Sequence, residues 1–119
     1  MSTLELRTRL LANGYSPLCN VGKACFLPAW PTVSIDAETL SRWERRHSRF
    51  ADTGLRVENG LAVIDIDIND EAGATAVAQA IEAAFPQLLQ ALVRYGKGFK
   101  EAWFCRTSEP FGRIHTFRF

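Results

Sequence analysis

The sequence predicts an α+β domain, a mixed or antiparallel sheet flanked by helices, and three observations predict it. Two stretches show helix-period apolar residues behind capping side chains, and a third is alanine-rich with the same spacing. Between and after them lie short apolar or β-branched runs, punctuated by Asn-Gly and Gly-x-Gly, that read as strands. At 119 residues, 47% apolar and 23% charged, the chain is expected to form one ordinary globular domain over residues 1–119 with a modest core.

Each element follows from its own signal. Ser2 and Glu5 make a capping-box pattern ahead of Leu6, Leu10 and Leu11, and Asn13-Gly14 stops that helix. Residues 15–19 read as a short strand, and the Pro- and Gly-punctuated stretch after it as a loop whose aromatics pack down. Asp36 caps a second helix with Leu40, Trp43, His47 and Phe50 on one side and a basic flank of Arg42, Arg45, Arg46 and Arg49. Two β-runs then surround Glu58-Asn59-Gly60, and Asn-Gly between apolar alternations is the strongest short hairpin signal. "DEAGATAVAQAIEAAFP" is a helix with Val77, Ile81, Ala84, Phe85 and Leu88 at helical spacing and Pro86 near its end. "QALVRYGKGFKEAWFCRT" reads as strand, glycine turn, strand, and "GRIHTFRF" as one more strand. Phe119 ends the chain inside that apparent strand, the pattern of a protein truncated at its C-terminus.

Several classes are set aside. No apolar run approaches the ~20 residues needed to cross a bilayer, and the N-terminus lacks a signal-peptide core, so a cytoplasmic protein without a membrane partner is expected. Cys19, Cys25 and Cys105 contain no C-x-x-C pair and have no histidine at zinc spacing, which predicts neither a disulfide framework nor a zinc site. The net charge of +1 hides a segregation: +3 over residues 1–50, −6 over 51–93 and +4 over 94–119. An acidic middle between basic segments suits a site where cations mediate between carboxylates and an anionic ligand; a solvated surface has the same signature.

The chemistry concentrates in "LAVIDIDIND". Side chains alternate along a strand, so Leu61, Val63, Asp65 and Asp67 share one face and Ala62, Ile64, Ile66 and Ile68 the other. Both faces begin apolar, as in a central strand covered on both sides, and the acids arrive where the strand runs out. Two same-face carboxylates lie roughly 6–7 Å apart along the backbone, within convergence distance of a divalent cation. The plainer reading has Asp65 and Asp67 solubilising a strand end while Asp70 caps the next helix.

Downstream, Arg94, Lys97, Lys100 and Arg106 surround Gly96 and Gly98, which allow a tight turn and close approach to an anion. Cations beside such a turn, with a carboxylate pair nearby, read as a polyphosphate cradle, or more plainly as a basic hairpin rim. His47 reads as a half-buried packing residue and His115 as a cross-strand residue. Lys23 after Gly22 is a lesser phosphate candidate. Trp30, Trp43 and Trp103 read as core or lid.

In this order the pieces resemble the N-terminal primase–polymerase domain of the archaeo-eukaryotic primase superfamily, found in phage and plasmid replication proteins. "GYSPLCNVGKACFLPAW" is similar to its Gly–Lys then Trp segment, "TGLRVENGLAVIDIDIND" to its Thr-Gly, β-run and hydrophobic-Asp-hydrophobic-Asp signature, and "RYGKGFKEAWFCR" falls where its phosphate motif lies. The resemblance implies an RRM-like fold and metal-dependent nucleotidyl transfer in DNA replication. Asp65 and Asp67 would be the catalytic acids holding Mg²⁺ or Mn²⁺. Arg94, Lys97, Lys100 and Arg106 would bind the nucleoside triphosphate, and Arg42, Arg45, Arg46 and Arg49 the DNA template backbone. A helicase domain or partner is a further expectation. Lysine stands in the second motif where many relatives carry histidine. No Asp follows Asp70, with Glu101 and Glu109 as weak substitutes, so the family's third acidic motif would lie beyond Phe119. The alternatives are a non-catalytic nucleic-acid-binding accessory module of replication and, more weakly, a metal-dependent nuclease.

Overall fold

The computed structural model describes residues 1–109 and 111–114, and within them the chain is α+β, with three α-helices and two small antiparallel sheets. It divides into two compact units, Met1–Asn59 and Gly60–Phe119. Among the described residues no helix is long and apolar enough to cross a membrane.

The first unit runs α1 (Thr3–Ala12), β1 (Ser16–Asn20), α2 (Ala37–Arg46) and β2 (Asp52–Arg56). The capping box forms as its sequence demands: the Glu5 amide donates to Ser2 Oγ at 3.1 Å and the Ser2 amide to Glu5 Oε2 at 2.6 Å. β1 and β2 pair antiparallel, Ser16 opposite Arg56 and Asn20 opposite Asp52. Leu18, Cys19, Leu27, Leu40, Trp43 and Phe50 form the core, with Leu4 and Leu11 packed against it. Each fully buried Leu or Phe contributes about 1.5–3 kcal/mol.

The inward stripe of α1 differs from the expected Leu6, Leu10 and Leu11. Leu6 is 40% exposed, and Arg7 occupies the place between Leu4 and Leu11, only 1% exposed. Spacings of three and four residues put positions 4, 7 and 11 on one face, so a charge sits in the apolar stripe. Carbonyls of the chain after α2 offset that cost. Nearby, Arg56 Nη1 donates to the Trp30 and Val33 carbonyls at 2.8 and 2.7 Å, fixing the long loop to β2. Its Nη2 holds Glu58 at 2.7 Å, and the Ser16 hydroxyl donates to the same carboxylate oxygen.

The second unit runs β3 (Leu61–Ile66), α3 (Glu71–Ala84), a 3-10 turn (Pro86–Gln90), β4 (Leu92–Tyr95) and β5 (Glu101–Arg106). The strand order is β3-β5-β4, both pairs antiparallel. The strand, glycine turn, strand reading of β4 and β5 therefore holds. α3 starts where Asp70 Oδ2 accepts from the Gly73 amide at 2.7 Å and ends at Ala84, ahead of Pro86.

Two expectations for this region need correction. Asn59 and Gly60 do adopt left-handed φ values of 55° and 79°, the backbone of a primed turn. Yet β2 pairs with β1 and β3 with β5, so the flanking runs are not a hairpin. Turn chemistry sets two dihedrals, whereas burial sets the strand partner. Second, among the described residues β3 lies at an edge of its sheet rather than at the covered centre, which is β5. Residues 112–114 are not strand, and the rest of the expected last strand, His115 included, lies outside the described residues.

Candidate functional site

Register in the second sheet decides which side chains meet. Asp65 lies opposite Ala102, which lies opposite Arg94 on its other side; Val63 pairs with Phe104 and Leu61 with Arg106. Directly opposed residues share a face. One face therefore carries Leu61, Val63 and Asp65 with Ala102, Phe104, Arg106, Leu92 and Arg94. The other carries Ile64 and Trp103, with Ile66 and Glu101, and α3 packs on β3. Burial separates the faces only in part: Ile66 and Trp103 are 4% and 3% exposed and Val63 and Leu92 36% and 55%, but Leu61 and Ala102, on the same face as Val63, are 6% and 2%. Asp65 and Asp67 are themselves exposed. That is how an edge strand in an antiparallel sheet carries them without burying charge.

Asp67 follows the last residue of β3 and Lys100 precedes the first of β5. Extending the register by one step sets them opposite each other, and Lys100 Nζ meets Asp67 Oδ1 at 2.9 Å. Both side chains are well exposed, so this pair contributes little to stability, about 0–1 kcal/mol. Across the sheet Arg94 stands two strand spacings from Asp65, about 10 Å. Gly98 turns the chain with φ +71°, and the Gly96 amide donates to the Lys100 carbonyl at 2.8 Å, leaving Lys97 exposed at the tip.

Of the residues expected here, Asp65, Asp67, Arg94 and Lys100 come to one end of one face, with Lys97 on the adjoining turn. Arg106 shares the face but lies opposite Leu61, four residues along β5 from Ala102, about 13 Å away. Glu101 is on the opposite face, where its carboxylate accepts from Trp103 Nε1 at 2.7 Å. Asp70 is engaged as the cap of α3. Between the start of α3 and the turn lies a cleft of about 170 Å³, lined by residues including Glu71, Thr75, Tyr95 and Lys100. Ligand pockets usually hold roughly 300–1,000 Å³. The candidate site is therefore an open charged surface.

Its donor set suits a hard cation in part. Two exposed carboxylates on one face fit the one or two that Mg²⁺ takes from a protein, with phosphate oxygens and water completing the shell. Among the described residues no cluster of three or more His, Cys, Asp or Glu is arranged to hold a metal.

The basic helix belongs to the first unit. Arg45 and Arg46 are exposed in the last turn of α2, where cations suit the helix dipole. Arg42 is half-buried and donates to Thr39 Oγ1 at 3.5 Å. Arg49 lies over the Phe50 ring, 5.1 Å from its centroid. His47 is half-buried and stacked on Phe50, as its helical spacing implied. Lys23 is exposed beside Gly22, whose amide donates to Asp52 Oδ2 at 2.7 Å.

The loop aromatics do not all pack down. Trp43 and Trp103 are buried, but Trp30 is 39% and Phe26 65% exposed. Cys25 and Leu27 turn inward on either side of Phe26. Neither a scan against protein-family models nor searches of curated proteins and of solved structures returned a match.

Proposed function

We propose that the chain is a primase–polymerase domain, in whole or in part, whose open sheet face serves metal-dependent nucleotidyl transfer in DNA replication. The observation that carries this reading is the Lys100–Asp67 contact beside Asp65: a carboxylate pair on one strand end, with a cation from the glycine turn already on it. Such a surface has the two charges that a metal–triphosphate complex requires, carboxylates for the metal and cations for phosphate oxygens. Mg²⁺ or Mn²⁺, when bound at Asp65 and Asp67, would supply Lewis-acid polarisation of the α-phosphate.

The chain's own residues then divide the work. Asp65 and Asp67 would hold the metal. Lys100 leaves Asp67 for a phosphate oxygen as the triphosphate arrives, and Arg94 and Lys97 neutralise the remaining charge. Arg106, on the same face farther along β5, is the fourth cation proposed for the triphosphate. Arg42, Arg45, Arg46 and Arg49 track template phosphates through salt-sensitive contacts.

Binding of a nucleoside triphosphate with Mg²⁺ or Mn²⁺, measured for the wild type and Asp65→Ala/Asp67→Ala, tests the site. Metal-dependent binding lost in the double variant is expected; equal affinity with and without metal would sink the reading. A second reading, a nucleic-acid-binding accessory module of replication, draws on the exposed arginines of α2, which bind phosphates without any metal. DNA binding with no triphosphate binding would favour it.

A further inference from the structure

Phe26 is 65% exposed although both neighbours in the chain turn toward the core of the first unit. Its ring stands 6.4 Å from that of Phe50, inclined at 49°, and Phe50 itself is buried. Phe50 also carries the His47 imidazole, 5.1 Å away and within 4° of parallel, and the Arg49 guanidinium. Arg46, the residue before His47, is exposed. Glu44, the nearest acid along the helix, is engaged with Arg7 at 3.5 Å. The result is an outward aromatic ring held against a buried one that also carries an imidazole and the Arg49 guanidinium, with Arg46 exposed one residue before the imidazole.

We propose that Phe26, His47, Arg46 and Arg49 form a docking surface for single-stranded DNA, with an unpaired base stacked on Phe26 and the adjoining phosphates on the arginines. The proposal deepens the template role of the basic helix and rests on that reading. Charge and ring chemistry select the occupant. Arginines beside the ring match a polyanion, and an exposed π-face matches a base with a free face of its own. In a duplex those faces are already stacked, so single strands are preferred. An apolar protein partner would meet the desolvation cost of the same cations.

The test uses the full chain and two fluorescent probes of equal length, an oligothymidylate and an abasic oligonucleotide, with anisotropy as the readout. Phe26→Ala is expected to weaken oligothymidylate binding about tenfold and leave the abasic probe unchanged. Phe26→Trp should restore it. Arg46→Ala/Arg49→Ala should weaken both probes alike and flatten the log–log salt slope by about 1.4. Equal oligothymidylate binding by wild type and Phe26→Ala, an equal loss on both probes, or tighter binding of duplex DNA or single-stranded RNA would each overturn the proposal. Triphosphate binding measured on the same preparations separates the two ideas. Its loss with stacking intact counts against nucleotidyl transfer alone, and the reverse counts against this surface alone.

Discussion

Arg7 Nη2 donates to the carbonyl of Phe50 at 2.8 Å, a buried hydrogen bond between residues 43 positions apart. The same nitrogen reaches the Asp52 carbonyl at 2.9 Å, Nε the Thr53 hydroxyl at 3.2 Å and Nη1 the Glu44 carboxylate at 3.5 Å. One planar fork with five donors therefore ties α1 to α2 and to the start of β2.

Replacing Arg7 by methionine keeps the stem and deletes the fork. Two carbonyls lose their donor, at about 1–3 kcal/mol each where they stay dry, so Arg7→Met is expected to lose roughly 2–6 kcal/mol in urea unfolding. Arg7→Lys keeps the charge but cannot span the same acceptors, and should recover only part of the loss. Wild-type stability in Arg7→Lys would overturn this account of the fork.

Lys100 should behave in the opposite way. Its ion pair with Asp67 is exposed, so Lys100→Ala is expected to shift unfolding by less than about 1 kcal/mol. Under the proposed function the same variant weakens Mg²⁺-triphosphate binding about tenfold, the scale of one lost charge-assisted contact. Calorimetric titration beside a melting curve reads both quantities. A stable variant with undiminished triphosphate affinity would remove Lys100 from the site.

Acid should unfold the first unit through its hydrogen-bonded carboxylates. The Arg56 guanidinium holds the Glu58 carboxyl below its ordinary value of 4.5; partial burial opposes this and the Ser16 hydroxyl adds to it. The Thr39 amide lowers Asp36 from 3.8, and hydrogen bonds from Ser2 lower Glu5 from 4.5. Folded values below unfolded ones mean that the unfolded chain binds more protons, so this stabilisation is present above the unfolded values and is lost as pH falls through the folded ones. The urea midpoint should therefore drop as the pH is taken below 4.5, and less steeply in Glu58→Gln. An equally steep drop in that variant would show that Glu58 is not among the groups responsible.

Local signals were legible in the sequence because they act locally. Ser2, Asp36 and Asp70 announced three helix starts, and Gly96 and Gly98 announced the turn between β4 and β5. Period-2 alternation was enough to put Asp65 and Asp67 on one face, whereas bringing Lys100 to it took the register between β3 and β5. Partners chosen across distance were not legible. Asn59-Gly60 carries the dihedrals of a hairpin turn while its flanking strands pair elsewhere. Arg7 carries no local signal of burial, because the acceptors that make it a core residue lie 43 to 46 positions downstream. Phe26 read as packing because composition records that a ring is apolar, without recording which way it points.

Gly60 limits where this chain can be cut or extended. Its carbonyl accepts from the Thr107 amide at 2.7 Å, its φ is +79°, and a Cβ there would come within 2.7 Å of the Thr107 carbonyl oxygen. Boundaries between compact units are ordinarily the tolerant points for tags, linkers and protease sites. Here the first residue past the boundary is already committed to the second unit. A protein engineer separating the halves should therefore break the chain before Gly60 and keep that glycine with everything that follows it.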